Sequence, residues 1–246
     1  MDMKISGAGV LGGGEYEEVK VSGSAKIEGS IRCRSFACSG ATKGEGDLSC
    51  REEFRSSGST HIAGAIRAGS VHASGALKCA ALSAEGEVQL SGGSDVEGRL
   101  SGGNVSSSGA LKVGGGIEAE EFRSSGRLVC GGLVNAETVE IFVGMETSSV
   151  AAIGGGTVRV KERLEGHIFT GAGFGGFGFP WGKGAKGGLT VDESIEADDI
   201  ELVKTLCPLV SGRRVVVGPG CRIDLVRYSE SIEVDPEAQV GRQEKI

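Results

Sequence analysis

The sequence predicts an all-β fold, a three-sided parallel β-helix with about 17 residues per coil and one loop insertion rich in Gly and aromatic residues. Three observations predict it. Phe54-Arg55-Ser56-Ser57-Gly58 recurs letter for letter as Phe122-Arg123-Ser124-Ser125-Gly126, an offset of 68, or four times 17. Ser74-Gly75-Ala76-Leu77-Lys78 recurs as Ser108-Gly109-Ala110-Leu111-Lys112 at 34, or twice 17. A ladder of the same step joins Val19, Phe36, Phe54, Val71, Val88, Val105, Phe122 and Val139, all large and apolar, with a single step of 18. Self-similarity at a fixed period marks a repeat architecture.

Within a unit the apolar residues come in short alternating stretches. From Val19 they run Val19 and Val21, Ala25 and Ile27, then Ile31 and Cys33. Alternation is the strand signal. Ser22-Gly23-Ser24 and Gly29-Ser30 fill the joints, where a tight corner needs a small residue. Three strands and three corners make one triangular coil, and the core forms only when coils stack. A helical reading fails, because Gly makes up 45 of the 246 residues and each interior Gly costs a helix about 1 kcal/mol.

Taken in order, residues 1–18 form an N-terminal segment and imperfect first coil. Met3-Lys4-Ile5-Ser6-Gly7 echoes Val19-Lys20-Val21-Ser22-Gly23 at an offset of 16. The alternative is a short membrane-touching tail of Met1, Met3, Ile5, Val10 and Leu11. Residues 19–165 are coils, with a one-residue slip at Leu82 and Ala84 and a next start at Val158 and Val160 after Val139. Residues 166–188 hold four of the eight Phe and the only Trp, among many Gly. Deleting them restores the spacing through Leu189, Val191, Ile195 and Ala197, so they are an insertion at a corner. Its Phe169, Phe174, Phe177, Phe179 and Trp181, with Lys183 and Lys186, either fold back on the rod or offer a sticky patch to a membrane surface or partner. Residues 189–241 are further coils, with Val215 and Val217 repeating 17 later as Ile232 and Val234. The polar residues 242–246 are expected to fray.

Composition narrows the function. The net charge is −7 without a basic stripe, which argues against nucleic acid. Seven Cys lack any CxxC spacing, so no metal site is expected. Six of them, Cys33, Cys38, Cys50, Cys79, Cys130 and Cys221, fall on inward positions, while Cys207 is less clear. That many free thiols favour a reducing, cytoplasmic setting. No signal peptide or apolar membrane span is legible. His61 and His72 point outward, His167 lies in the insertion, and Glu28, Glu45 and Glu97 are isolated acids. Val113-Gly114-Gly115-Gly116 lacks the Lys-Ser/Thr of a phosphate loop, so neither a nucleotide nor another cofactor is expected, and no catalytic set converges.

The repeats Val19-Lys20-Val21-Ser22-Gly23 and Ile27-Glu28-Gly29-Ser30-Ile31, with the 17-residue rungs, resemble the bactofilins, polymer-forming bacterial cytoskeletal proteins. The resemblance implies a right-handed three-sided β-helix that polymerises without nucleotide, often at the membrane; the expected partner is another copy of the chain, and co-assembly with a paralogue stays open. The chain is longer than a typical single bactofilin core and carries the aromatic insertion. Physics gives an independent reason to expect polymerisation. A β-helix ends in rings of unpaired backbone groups that template further pairing unless capped. Stacking would bury Met3 and Ile5, or Val19 and Val21, at one end and Ile232 and Val234 at the other. The rival reading is a monomeric binding module that uses the aromatic loop.

Overall fold

The computed structural model describes residues 1–163 and 187–246. They form no helix. Their strands make one continuous sheet in which every pairing is parallel. The register traces a β-solenoid of thirteen coils with three walls. The first wall stacks Met3 on Val19, Phe36, Phe54, Val71, Val88, Val105, Phe122, Val139, Val158, Ile200, Val215 and Ile232. The second wall runs from Leu11 through Ile27 to Ile223 and Val240. The third runs from Gly14 through Ile31 and Leu48 to Val226 and Gln243. Thirteen coils at about 4.8 Å make a rod on the order of 60 Å long.

Alternation explains the core. In Glu87–Leu90 the side chains of Val88 and Leu90 are buried while those of Glu87 and Gln89 are exposed. Each wall therefore contributes columns of like residues to a narrow interior. Phe36 and Phe54 stack at 5.6 Å with their rings 9° apart. Val, Ile, Leu, Ala and all seven Cys, including Cys207, supply most of the remainder. Few aromatics are needed, because an inward column has room for only one side chain per rung.

The corner between the first and second walls is the most regular. Serines 22, 39, 57, 74, 91, 108 and 125 occupy it, each followed by Gly. Ser57, Ser74 and Ser91 donate their backbone N–H to Cys38, Ser56 and Ala73 one coil earlier, at 2.8, 2.9 and 2.8 Å. The glycines stack so closely that a Cβ on Gly75 would stand 1.9 Å from the Gly58 carbonyl oxygen. That separation is impossible for a carbon, so the corner accepts only Gly.

The irregular coils have local causes. The register slips between Ile62 and Ala65, which shortens the third wall by one residue before Leu82. After Ile200 the coil is only 15 residues long, because Val203 and Lys204 turn the corner alone, with Lys204 at a φ of 46°. The 166–188 insertion opens at the first-to-second corner of coil 10. Thr147–Glu162 ends on the first wall and Gly188–Val191 resumes on the second. Gly188 is therefore already strand.

Two expectations need correcting. Residues 242–246 are not frayed: Gln239–Lys245 is a strand, with Arg242, Gln243, Glu244 and Lys245 in register with Leu225, Val226, Arg227 and Tyr228. The N-terminal residues are not a detached tail: Met3–Ile5 pairs with residues 19–21, and Ala8–Glu15 pairs with coil 2.

Candidate assembly interface at the rod tips

The coil at each tip has a neighbour on one side only. Parallel strands offer half of their N–H and C=O groups to each side, so each tip presents a ring of groups that nothing in the rod meets. The side chains of the end coils show which part of that ring is apolar.

At the N-terminal tip the first wall ends in Met3 and Ile5, both half-buried against the core. Leu11 closes the second wall and is buried. Tyr16 leans over the third, and its hydroxyl donates to the Gly12 carbonyl at 2.8 Å. Glu17 donates its backbone N–H to the Met1 carbonyl at 3.0 Å, which holds the first residue onto the rod. Val19 and Val21 are not tip residues. They lie one coil inside, in register with Met3 and Ile5, and are fully buried. The imperfect spacing of the first coil hid its completeness and made coil 2 look like a possible end.

At the C-terminal tip Ile232 and Val234 end the first wall, and Ala238 and Val240 end the second. The third wall ends differently. Gln243 and Lys245 stand in the columns that Val226 and Tyr228 occupy one coil earlier. The tip is therefore apolar over two walls and polar over the third. Sequence reasoning missed Leu11, Tyr16, Ala238 and Val240. The signal was present: Tyr16 stands 17 before Cys33, and Ala238 and Val240 stand 17 after Cys221 and Ile223.

The flanks are tied by ion pairs between rungs. Arg123 and Lys161 reach Glu140 at 3.3 and 3.0 Å, and Lys161 above all holds the Glu140 carboxyl below the usual carboxylate range. Lys20 does the same for Glu18. Pairs of this kind offset charge along the flanks, which also expose single outward apolar side chains such as Leu133, Leu206 and Val216; at the tips the incompletely buried apolar side chains stand instead in core columns. His61 is exposed, and His72 meets the Gln89 side chain at 3.1 Å. Among the described residues no three His, Cys, Asp or Glu are placed to share a metal ion. The aromatic side chains named from the sequence, Phe169, Phe174, Phe177, Phe179 and Trp181, lie outside the described residues.

No family model matches the chain, and no solved structure matches it. Two curated proteins of Bacillus subtilis (strain 168) are similar over part of their length. "Uncharacterized protein YhbF" is 30% identical over 115 residues, which are 47% of this chain and 42% of that protein. "Uncharacterized protein YhbE" is 43% identical over 54 residues, 22% of this chain and 23% of that protein. The chain thus spans less than half the length of the curated relatives it matches.

Proposed function

We propose that this chain is a non-enzymatic structural protein whose rods stack end to end into nucleotide-independent filaments, in the manner of the bactofilins it resembles. The observation that carries the reading is the unfinished pair of apolar columns at each tip, Met3 and Ile5 at one and Ile232 and Val234 at the other. A joint between tips would give those side chains the neighbour that every interior rung has, and would pair the open backbone groups. Because both tips are open, head-to-tail joints, or head-to-head joints alternating with tail-to-tail ones, would each propagate into a filament. The partner is a second copy of the chain, or a paralogue with the same tip. On this reading the filament works in the cytoplasm, along the inner face of the cell membrane, as a scaffold for envelope or motility machinery. No helix among the described residues is long and apolar enough to cross a membrane. Negative-stain microscopy of the purified protein without nucleotide tests the proposal: filaments support it, and short single rods at every concentration refute it.

The position of the insertion favours a second, compatible reading. It opens on the flank of coil 10, between Glu162 and Gly188, and away from either tip. Its aromatic and lysine residues would then supply the membrane or partner contact without blocking the joint. Liposome co-sedimentation with and without residues 167–187 separates the two roles: loss of binding on deletion assigns it to the insertion, and unchanged sedimentation removes it.

A further inference from the structure

Seven thiols lie in the rod, and Cys33 and Cys50 are in direct contact. They occupy consecutive rungs of the third wall in register, with their sulfurs 3.5 Å apart. In-register rungs are about 4.8 Å apart, inside the roughly 4.4–6.8 Å Cα separation that a disulfide spans. Other thiols meet different groups. Cys38 contacts the Thr42 hydroxyl at 3.1 Å, and Cys130 and Cys207 donate to the Gly132 and Leu209 carbonyls at 3.4 and 3.0 Å. Burial pushes the Cys79 thiol up to about 12 and Cys207 up to about 11. In the Cys33–Cys50 pair the shared hydrogen bond acts in opposite directions on the two thiols: it favours a thiolate on one sulfur, Cys33, and, with burial, keeps the proton on the other, Cys50.

The pair also has a route to solvent. The third wall opens here into a groove of about 540 Å³, lined by both cysteines and by Arg32, Arg51 and Arg67. Arg67 pairs with Asp47 at 3.0 Å, and Arg32 stands 3.8 Å from Glu15. Cys33 is 3% exposed and Cys50 6%, which admits a small oxidant and excludes a bulky one.

We propose that Cys33 and Cys50 form a peroxide-sensitive pair that closes to a reversible disulfide between coils 2 and 3. The Cys33 thiolate attacks one oxygen of hydrogen peroxide. The O–O bond breaks, the departing hydroxide takes up a proton and leaves as water, and Cys33 becomes a sulfenic acid. The Cys50 sulfur then attacks the Cys33 sulfur. The S–O bond breaks, and the hydroxyl leaves with the Cys50 proton as a second water. Two thiols have lost two electrons, and one peroxide has become two waters.

The test uses the full chain, reduced and then treated with hydrogen peroxide. It is unfolded and blocked with N-ethylmaleimide, and its peptides are mapped by mass spectrometry. The expected result is two fewer blocked cysteines and one linked peptide joining Cys33 to Cys50, both reversed by dithiothreitol. Cys50→Ser removes the resolving thiol, so Cys33 should then accumulate as a sulfenic acid and take up about tenfold more dimedone than in the parent. Seven blocked cysteines after peroxide, linked peptides joining other cysteines, or sulfinic acid at Cys33 without a cross-link would each overturn the proposal.

Discussion

Val217 and Val234 occupy the same inward column of the first wall, one coil apart. Val217 is 0% exposed and Val234 is 37% exposed. Residue type, column and wall are the same. The difference is that Val217 has a rung on each side and Val234 has a rung on one. On the first wall, burial therefore depends on the stack and not on the coil alone, which is why that wall ends at a tip as an unfinished core. Substitutions in the two places should separate accordingly: interior changes cost stability, and tip changes cost assembly.

The largest effect is expected for Phe54→Ala. It empties a fully buried column position and removes the stack on Phe36, at a cost of about 3–5 kcal/mol. At the tip Ile232→Ala should cost less than about half as much, since Ile232 is only half-buried and part of its surface already faces water. Denaturant midpoints of the two variants measure the contrast directly. Equal losses would mean that the tip is as well packed as the interior.

Gly75→Ala comes next. The added methyl collides with the Gly58 carbonyl, and backbone cannot give way as a side chain can. A loss of about 3 kcal/mol is expected. Gly93→Ala is the internal control, because its methyl meets nothing within 4 Å and should shift stability by less than about 0.5 kcal/mol. Thermal melts of the two proteins check both statements.

Val234→Asp should leave the melting temperature of the single rod nearly unchanged, by about 1 kcal/mol or less, while shortening or abolishing filaments. Pelleting of the variant against the parent reads this out. A variant that pellets as the parent does would remove Val234 from the joint.

The smallest effect concerns Asp47, which ties coil 3 to coil 4. Its carboxylate accepts from the Ala65 backbone N–H at 2.9 Å and from Arg67 at 3.0 Å. The Ala65 N–H, followed by Arg67, holds its pKa below the ordinary value. A depressed folded pKa stabilises at pH above the unfolded value of about 3.9 and loses that contribution as pH falls through the folded value. Asp47→Asn should therefore be less stable than the parent near pH 7, by under about 1 kcal/mol at this exposed site, and the gap should close below about pH 3. Denaturant midpoints at the two pH values decide it.

Much of this architecture was legible because the period fixes the columns. Eight of the thirteen first-wall rungs, Val19 to Val139, follow from apolar residues at steps of 17 or 18, and Gly at the corner reports a backbone approach that no other residue permits. The parts that escaped are those where spacing or polarity breaks. Lys204 turns a corner with a positive φ, a role usually taken by Gly or Asn, so the 15-residue coil gave no warning. Gln243 and Lys245 occupy core columns but are polar, so the last strand read as a frayed tail. The first coil was legible only as an echo, because Leu11-Gly12-Gly13-Gly14 looks like a loose corner, whereas Ala8–Glu15 is strand. The contact between Cys33 and Cys50 was implicit in their 17-residue spacing, but spacing alone did not show the groove beside them.

Sedimentation velocity of the 25.0 kDa chain, without nucleotide and across a wide range of concentrations, tests the central claim most directly. Stacking through unfinished tips predicts species that lengthen as concentration rises for the parent, and a single short rod throughout for Val234→Asp. A parent that sediments as one short rod at every concentration would contradict it.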